Sequence, residues 1–157
     1  MGLRVNTGRQ RLISRGPGII PSRSDMEAPG TALVRRKRVL VVDDDSNIRE
    51  NIAELLAVAG YEVLVAADTT DALQKLASGG FDLLLTDLRM PGPSGLELIE
   101  KARRNDPQLQ AILMTAYGNA YTEVETVRRG GIGYLSKPFE ADEVTALVQR
   151  ILSLREA

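Results

Sequence analysis

The chain has 157 residues, of which 43% are hydrophobic, and it carries a formal net charge of −1. This size and composition are typical of one globular domain with a core of its own. Cysteine and histidine are both absent, which excludes disulfides, thiolate and imidazole metal ligands, and a phosphohistidine in this chain. Its chemistry must therefore use carboxylates, hydroxyls, lysine or backbone groups.

Charge is distributed unevenly along the chain. Residues 1–38 hold nine Lys and Arg residues and two acids, whereas residues 39–157 hold eleven and nineteen. Residues 1–35 lack hydrophobic periodicity and contain several Gly and Pro, so we predict a disordered basic tail there. A transit peptide and translation from Met26 are alternatives for this segment. Residues 36–155 are the predicted folded domain, whose acidic field disfavours direct binding to nucleic acid.

No apolar run approaches the length that a membrane-spanning helix requires, and no signal-peptide pattern is present. We therefore predict a cytoplasmic protein that does not interact with membranes.

Short apolar runs alternate with helical patterns from residue 38 onward. In chain order, the first elements are a strand at 39–42, a helix with Ile48, Ile52, Leu55 and Leu56 on one face, a strand at 61–66 and a helix with Ala72, Leu73 and Leu76. They are followed by a strand at 81–86, a helix with Leu96, Ile99 and Ala102, a strand at 111–115, a helix at 120–129 anchored by Val124 and Val127, a strand at 132–136, and a helix with Val144, Leu147, Val148 and Ile151. Nearly continuous apolar strands that alternate with helices indicate an α/β fold with one five-stranded parallel sheet covered on both faces.

Chemically capable side chains follow the predicted strands. They are Asp43, Asp44 and Asp45 after the first strand, Asp87 after the third, Thr115 at the end of the fourth, and Lys137-Pro138 after the fifth. Taken singly, each has an ordinary interpretation as a turn, strand or surface residue. In a parallel sheet, however, strand ends meet at one edge, where ligands bind.

Clustered acids at that edge would repel each other strongly, and a hard divalent cation such as Mg²⁺ would relieve the repulsion. One carboxylate could then act as a nucleophile on phosphorus, while Lys137 and the Thr115 hydroxyl stabilise the transferred group.

Four segments carry a resemblance to a known family. They are VLVVDDDSNIR (39–49), LLLTDLRMPGPSGLELI (83–99), ILMTAYGN (112–119) and YLSKPF (134–139). Over residues 36–154 the chain resembles the receiver domain of bacterial two-component response regulators. The resemblance implies a flavodoxin-like, doubly wound (βα)5 fold and a switch phosphorylated by a sensor histidine kinase or a phosphotransfer protein.

The resemblance also implies roles for individual residues. Asp87 is the expected phosphoacceptor, and the expected Mg²⁺ ligands are Asp44 directly, Asp43 through water, Asp87 and the carbonyl of Arg89. Thr115 and Lys137 are expected to contact the phosphoryl group and Tyr134 to change rotamer on activation. Arg89 and Tyr117 are expected to tune dephosphorylation. Pro138 is a candidate for a cis peptide bond.

Phosphorylation is expected to change the surface formed by the fourth helix, fifth strand and fifth helix, through which homodimers also form in the family. The downstream effector is unknown, and the chain is either a stand-alone regulator or part of a longer one. A metal-dependent phosphatase or ATPase that uses Asp87 is an alternative, although Arg89 stands where such enzymes carry a second acid. A purely structural interaction domain is another. The expectation is a phosphoacceptor domain and not a turnover enzyme.

Overall fold

The computed structural model describes residues 35–116, 120–128, 130 and 133–156, with only the backbone for 120–123 and 155–156. The predicted disordered tail therefore lies outside the described residues except for Arg35, and its disorder and its boundary with the domain stay predictions. Tyr117 also lies outside them.

Strands and helices alternate regularly through the described residues. The strands are β1 (Arg38–Val42), β2 (Glu62–Ala66), β3 (Leu83–Asp87), β4 (Gln110–Thr115) and β5 (Gly133–Ser136). The helices are α1 (Ser46–Val58), α2 (Thr69–Ala77), α3 (Gly95–Asn105), α4 (Ala120–Arg128) and α5 (Ala141–Glu156). The third strand was expected at 81–86, but it begins two residues later and includes Asp87.

The five strands form one parallel sheet in the order β2-β1-β3-β4-β5. This confirms the predicted doubly wound, flavodoxin-like α/β architecture. The chain leaves β1 toward β2 on one side and returns to place β3 on the other side of β1. The carboxyl ends of β1 and β3 therefore flank the topological switch point, where such sheets bind ligands.

Alternate residues of the central strands point to two separate cores. One core lies under α1 and α5 and contains Val39, Val41, Leu83, Leu85, Ile112 and Met114. The other lies under α2 and α3 and contains Leu40, Val42, Leu84, Ala111 and Leu113. Because both faces of the sheet are covered, β3 is buried along its whole length, as its continuous apolar run predicts.

Helix α4 corrects one prediction. Val124 and Val127 were expected to anchor it, but their side chains are 55% and 68% exposed. Among the described side chains of α4, the buried one is that of Thr126. Of the side chains of α4 that the structure describes, Thr126 thus faces the protein and the two valines face solvent, whereas α3 buries Leu98, Ile99 and Ala102.

A capping box defines the start of α3. Ser94 and Glu97 form a capping box in which each side chain accepts a hydrogen bond from the backbone N–H of the other residue. Among the described helices, none combines the length and the apolar character needed to cross a membrane.

Candidate functional site

Three acidic side chains converge at the switch point. Asp43 and Asp44 directly follow β1, and Asp87 is the last residue of β3. One carboxylate oxygen from each lies within 4.8 Å of those of the other two. Asp43 and Asp87 are buried, whereas Asp44 is exposed. The structure thus brings together the three carboxylates that the sequence singled out.

Lys137 reaches this cluster from the loop after β5. Its Nζ lies 2.9 Å from Asp43 Oδ2 and 3.1 Å from Asp87 Oδ1. Burial acts to lower the pKa of Lys137, but its contacts with Asp43 and Asp87 outweigh this effect and raise that pKa. Lys137 therefore stays an ammonium ion at neutral pH and bridges the two buried acids.

The surroundings of Asp87 destabilise its ionised form. Burial raises the pKa of its carboxyl above the usual 3.8, and repulsion from Asp43 and Asp44 adds to the effect. The hydrogen bond and charge of Lys137 act in the opposite direction without cancelling it. The site consequently favours any ligand that adds positive charge beside Asp87.

The donor set suits a small hard cation. Three carboxylates and one ammonium leave two negative charges uncompensated, which a divalent cation would balance. The oxygens lie within 4.8 Å of one another, and this upper limit is close to the roughly 4.2 Å between opposite ligands of an octahedral Mg²⁺ ion. The residues present therefore fit Mg²⁺ with little movement.

The loop from Asp43 to Arg49 is held by its own side chains. Asp45 caps α1 by accepting hydrogen bonds from the backbone N–H groups of Asn47 and Ile48. Arg49 folds back from the first turn of α1 and donates from Nη1 to the carbonyl of Asp43 at 2.7 Å. Sequence reasoning grouped Asp45 with the acidic run, although an Asp before a helical pattern is a recognisable N-cap signal. It missed Arg49 altogether.

Behind Asp87, helix α3 approaches the strand end very closely. Leu88 N–H bonds to Met114 and Gly95 N–H bonds to Leu88, both at 2.9 Å. A Cβ atom at Gly95 would lie 2.0 Å from the carbonyl oxygen of Asp87. Only glycine fits here, so Gly95 lets α3 support the backbone that carries Asp87.

The remaining predicted residues lie around this centre. Thr115 is buried at the end of β4, and its carbonyl accepts a 2.8 Å hydrogen bond from the backbone of Lys137. Arg89 is exposed in the loop after β3, and Tyr134 is half-buried on β5. The peptide bond between Lys137 and Pro138 is cis.

An apolar cavity of about 590 Å³ opens beside Lys137 between α1 and α5. It is lined by Ile48, Asn51, Ile52, Leu55, Ala116, Lys137, Pro138, Phe139, Ala141 and Val144. It places a predominantly hydrophobic surface directly next to the lysine of the acidic site.

Fold and site together define a class: doubly wound α/β domains with an acidic cluster and a lysine at the strand ends. Comparison with known proteins narrows that class. The model of the response regulator receiver domain family matches residues 39–149. The chain is 41% identical over 120 residues to the DNA-binding transcriptional regulator NtrC of Escherichia coli K12, covering 76% of this chain and 26% of NtrC. It is 40% identical over 113 residues to the response regulator protein FleR of Pseudomonas aeruginosa, covering 72% and 24%.

Solved structures agree. A CheY-like response regulator receiver domain protein of Methanospirillum hungatei has a TM-score of 0.75 at 32% identity, covering 78% of this chain and 98% of its own. The receiver domain of NtrX from Brucella abortus has a TM-score of 0.69 at 32% identity, covering 73% and 98%.

The chain belongs to the response regulator receiver domain family. It is thus a signalling domain of two-component systems, in which phosphorylation controls the response. It spans about a quarter of the length of NtrC and FleR.

Proposed function

We propose that Asp87 accepts a phosphoryl group in the presence of Mg²⁺ and that this event switches the domain between two states. The observation that carries the proposal is the bridge of Lys137 between Asp43 and Asp87, inside a cluster whose carboxylate oxygens lie within 4.8 Å of one another. This arrangement keeps a buried carboxylate beside a fixed positive charge.

In the proposed reaction, an oxygen of the Asp87 carboxylate attacks the phosphorus of a phosphohistidine on a sensor histidine kinase or a phosphotransfer protein. The P–O bond forms as the P–N bond breaks, and the imidazole leaves and takes up a proton. The product is an acyl phosphate on Asp87. When bound, Mg²⁺ would neutralise negative charge on the phosphoryl oxygens.

The surroundings of the two other acids support different roles for them in holding the cation. Both carboxylate oxygens of Asp43 already accept hydrogen bonds, from Lys137 and from the backbone of Asp45. Asp44 is exposed. We therefore propose that Asp44 and Asp87 bind the cation directly and that Asp43 binds it through water. The carbonyl of Arg89 is proposed as a further ligand of the cation.

Lys137 already lies 3.1 Å from Asp87, so a short movement would let its ammonium pair with a phosphoryl oxygen. Thr115 follows Met114, which pairs with Asp87 across the sheet, and we assign its hydroxyl a hydrogen bond to the same group. Tyr134 packs against the core under α2 and α3, and we propose that it changes rotamer on activation. Arg89 and Tyr117 would tune the lifetime of the phosphoryl group.

A phosphodonor must approach Asp87 from the strand-end side. The apolar cavity between α1 and α5 opens on that side, next to Lys137. We propose that the histidine-bearing partner docks there, because a helix with apolar side chains would bury its own surface while bringing its phosphohistidine to Asp87.

The output surface would be α4, β5 and α5. Helix α4 exposes Val124 and Val127, which gives a partner or a second copy of the chain an apolar surface to bind. We further propose that phosphorylation changes this surface and so controls a partner or output domain. The names of NtrC and of the transcriptional regulatory protein DltR of Streptococcus agalactiae suggest control of transcription, with DNA contacted outside this domain.

The test is to incubate the protein with acetyl phosphate, with and without Mg²⁺, and to measure its intact mass. We expect one added phosphoryl group that depends on Mg²⁺ and is absent in Asp87→Asn. A matched control, Glu54→Gln, changes an exposed acid on α1 and should label like the wild type. If neither the wild type nor Glu54→Gln is labelled while another receiver domain is labelled under the same conditions, the phosphoacceptor proposal is wrong, and the fold serves as an interaction domain.

A further inference from the structure

Asp43 is anchored through every one of its polar atoms. Its N–H donates to the carbonyl of Ala66 at 3.2 Å, and Asp43 Oδ1 accepts from the N–H of Asp45 at 2.9 Å. Asp43 Oδ2 accepts from Lys137 at 2.9 Å. The carbonyl oxygen is the fourth group, and it accepts from Arg49 Nη1 at 2.7 Å.

The last of these contacts bears directly on the neighbouring acid. The carbonyl of Asp43 and the N–H of Asp44 belong to one planar peptide unit. A hydrogen bond to this carbonyl therefore also restricts the rotation of the peptide unit that leads into Asp44. Asp44 is exposed, so packing does not fix its direction.

Arg49 is itself well placed to act as a fixed donor. It lies in the first turn of α1, whose start is defined by the Asp45 cap, and its own N–H bonds to the carbonyl of Asp45 at 3.0 Å. Its side chain is half-buried. The side chain of Arg49 therefore reaches from α1 across the loop to the peptide between Asp43 and Asp44.

We propose that Arg49 is a positioning residue for the cation site: it holds the Asp43–Asp44 peptide so that the carboxylate of Asp44 faces Asp43 and Asp87 before a cation binds. This inference rests on the proposed function, because it assigns Arg49 a role in the same Mg²⁺ site. In this role Arg49 contacts neither the cation nor the phosphoryl group.

Positioning and simple charge predict opposite effects of removing the side chain. A positive charge close to a cation site repels the cation, so if charge dominated, Arg49→Ala would bind Mg²⁺ more tightly and Arg49→Lys would resemble the wild type. If Arg49 positions the peptide, Arg49→Ala binds Mg²⁺ more weakly. Arg49→Lys then recovers part of the loss, because an ammonium can donate to the same carbonyl.

The experiment is a calorimetric titration of the unphosphorylated full chain with Mg²⁺, with the thermal midpoint measured in EDTA for each variant. We expect Arg49→Ala to raise the Mg²⁺ dissociation constant on the order of tenfold, as is usual when a group that orients a metal ligand is lost. Arg49→Lys should lie between Arg49→Ala and the wild type. The control is Arg104→Ala, which removes an exposed arginine on α3, and it should match the wild type.

Labelling by acetyl phosphate provides a second readout. In Arg49→Ala, the Mg²⁺ concentration for half-maximal labelling should rise with the dissociation constant, while the rate at saturating Mg²⁺ changes much less. An unchanged or lower dissociation constant in Arg49→Ala would overturn the proposal, and so would a lower thermal midpoint without weaker Mg²⁺ binding. Absence of Mg²⁺ binding by the wild type would instead overturn the cation site itself, and this role of Arg49 with it.

Discussion

Removing the charge of Asp87 should stabilise the domain in the absence of a divalent cation. With an effective dielectric constant of 20, a carboxylate pair within 4.8 Å repels by at least about 3.5 kcal/mol, and the 3.1 Å contact with Lys137 attracts by about 5 kcal/mol. Two such repulsions act on Asp87, although solvent screens the one from exposed Asp44. The Coulomb energies therefore nearly cancel, and the cost of burying the charge decides the sign.

For Asp87→Asn we expect the free energy of unfolding at pH 7 to rise by about 1–2 kcal/mol, because desolvation is relieved and the amide oxygen can still accept from Lys137. The pH dependence follows from the raised pKa of Asp87 in the folded state. Protonated Asp87 stabilises the fold below its unfolded pKa near 3.8, and this contribution is lost as pH rises through the higher folded pKa. The advantage of the variant should therefore be small near pH 4 and full at neutral pH.

Urea unfolding in EDTA, followed by circular dichroism between pH 4 and 8, measures this difference. Glu54→Gln is the control for the loss of an exposed acid. Addition of Mg²⁺ should stabilise the wild type and reduce the difference in unfolding free energy between Asp87→Asn and the wild type, because the cation compensates the charge that the variant lacks. Equal stability of Asp87→Asn and wild type at pH 7 in EDTA, or a gap that does not narrow toward pH 4, would refute the reasoning.

Three further predictions concern two residues beside Asp87 and one contact at the end of α4. Lys137→Met should lower the free energy of unfolding in EDTA by about 2–3 kcal/mol, because it takes the ammonium partner from the two buried acids Asp43 and Asp87, and Mg²⁺ should restore part of the loss in urea unfolding. Gly95→Ala should cost about 2 kcal/mol and slow acetyl phosphate labelling, since its Cβ would overlap the Asp87 carbonyl; labelling at the wild-type rate would contradict this. Arg103→Ala removes the 2.6 Å hydrogen bond to the carbonyl of Gly130 after α4, so amide exchange measured by mass spectrometry should speed up in α4 but not in α3.

The sequence predicts the fold well where burial is repetitive. Leu83, Leu84 and Leu85 form an uninterrupted apolar run, and such a run is typical of a parallel strand covered on both faces. Helix α4 lacks a comparable pattern. Its valines suggested an inner face, but the structure buries Thr126 instead. Hydropathy could not reveal this, because it does not distinguish an apolar side chain that packs inward from one that faces solvent.

The candidate site could likewise be predicted in part from the sequence. Asp87 and Lys137 could be predicted to meet, because the carboxyl ends of parallel strands lie at the same edge of the sheet. The contact of Arg49 with Asp43 could not, because its acceptor is a backbone carbonyl, and every residue carries one. A charged residue on a helix is most simply interpreted as solvent-facing, and only the path of the loop shows that its guanidinium turns back.

The destabilised charge of Asp87 and the exposed valines of α4 both bear on the proposed switch. A site that is already neutral would gain little from a cation, whereas the uncompensated acids here favour one. A bound cation would then offset the negative charge that phosphorylation of Asp87 adds. The backbone bond from Lys137 to Thr115 joins the ends of β5 and β4 next to this charge. Since β4 leads along the chain into α4, a rearrangement around Asp87 in the proposed switch would act first on the strand end that precedes this helix.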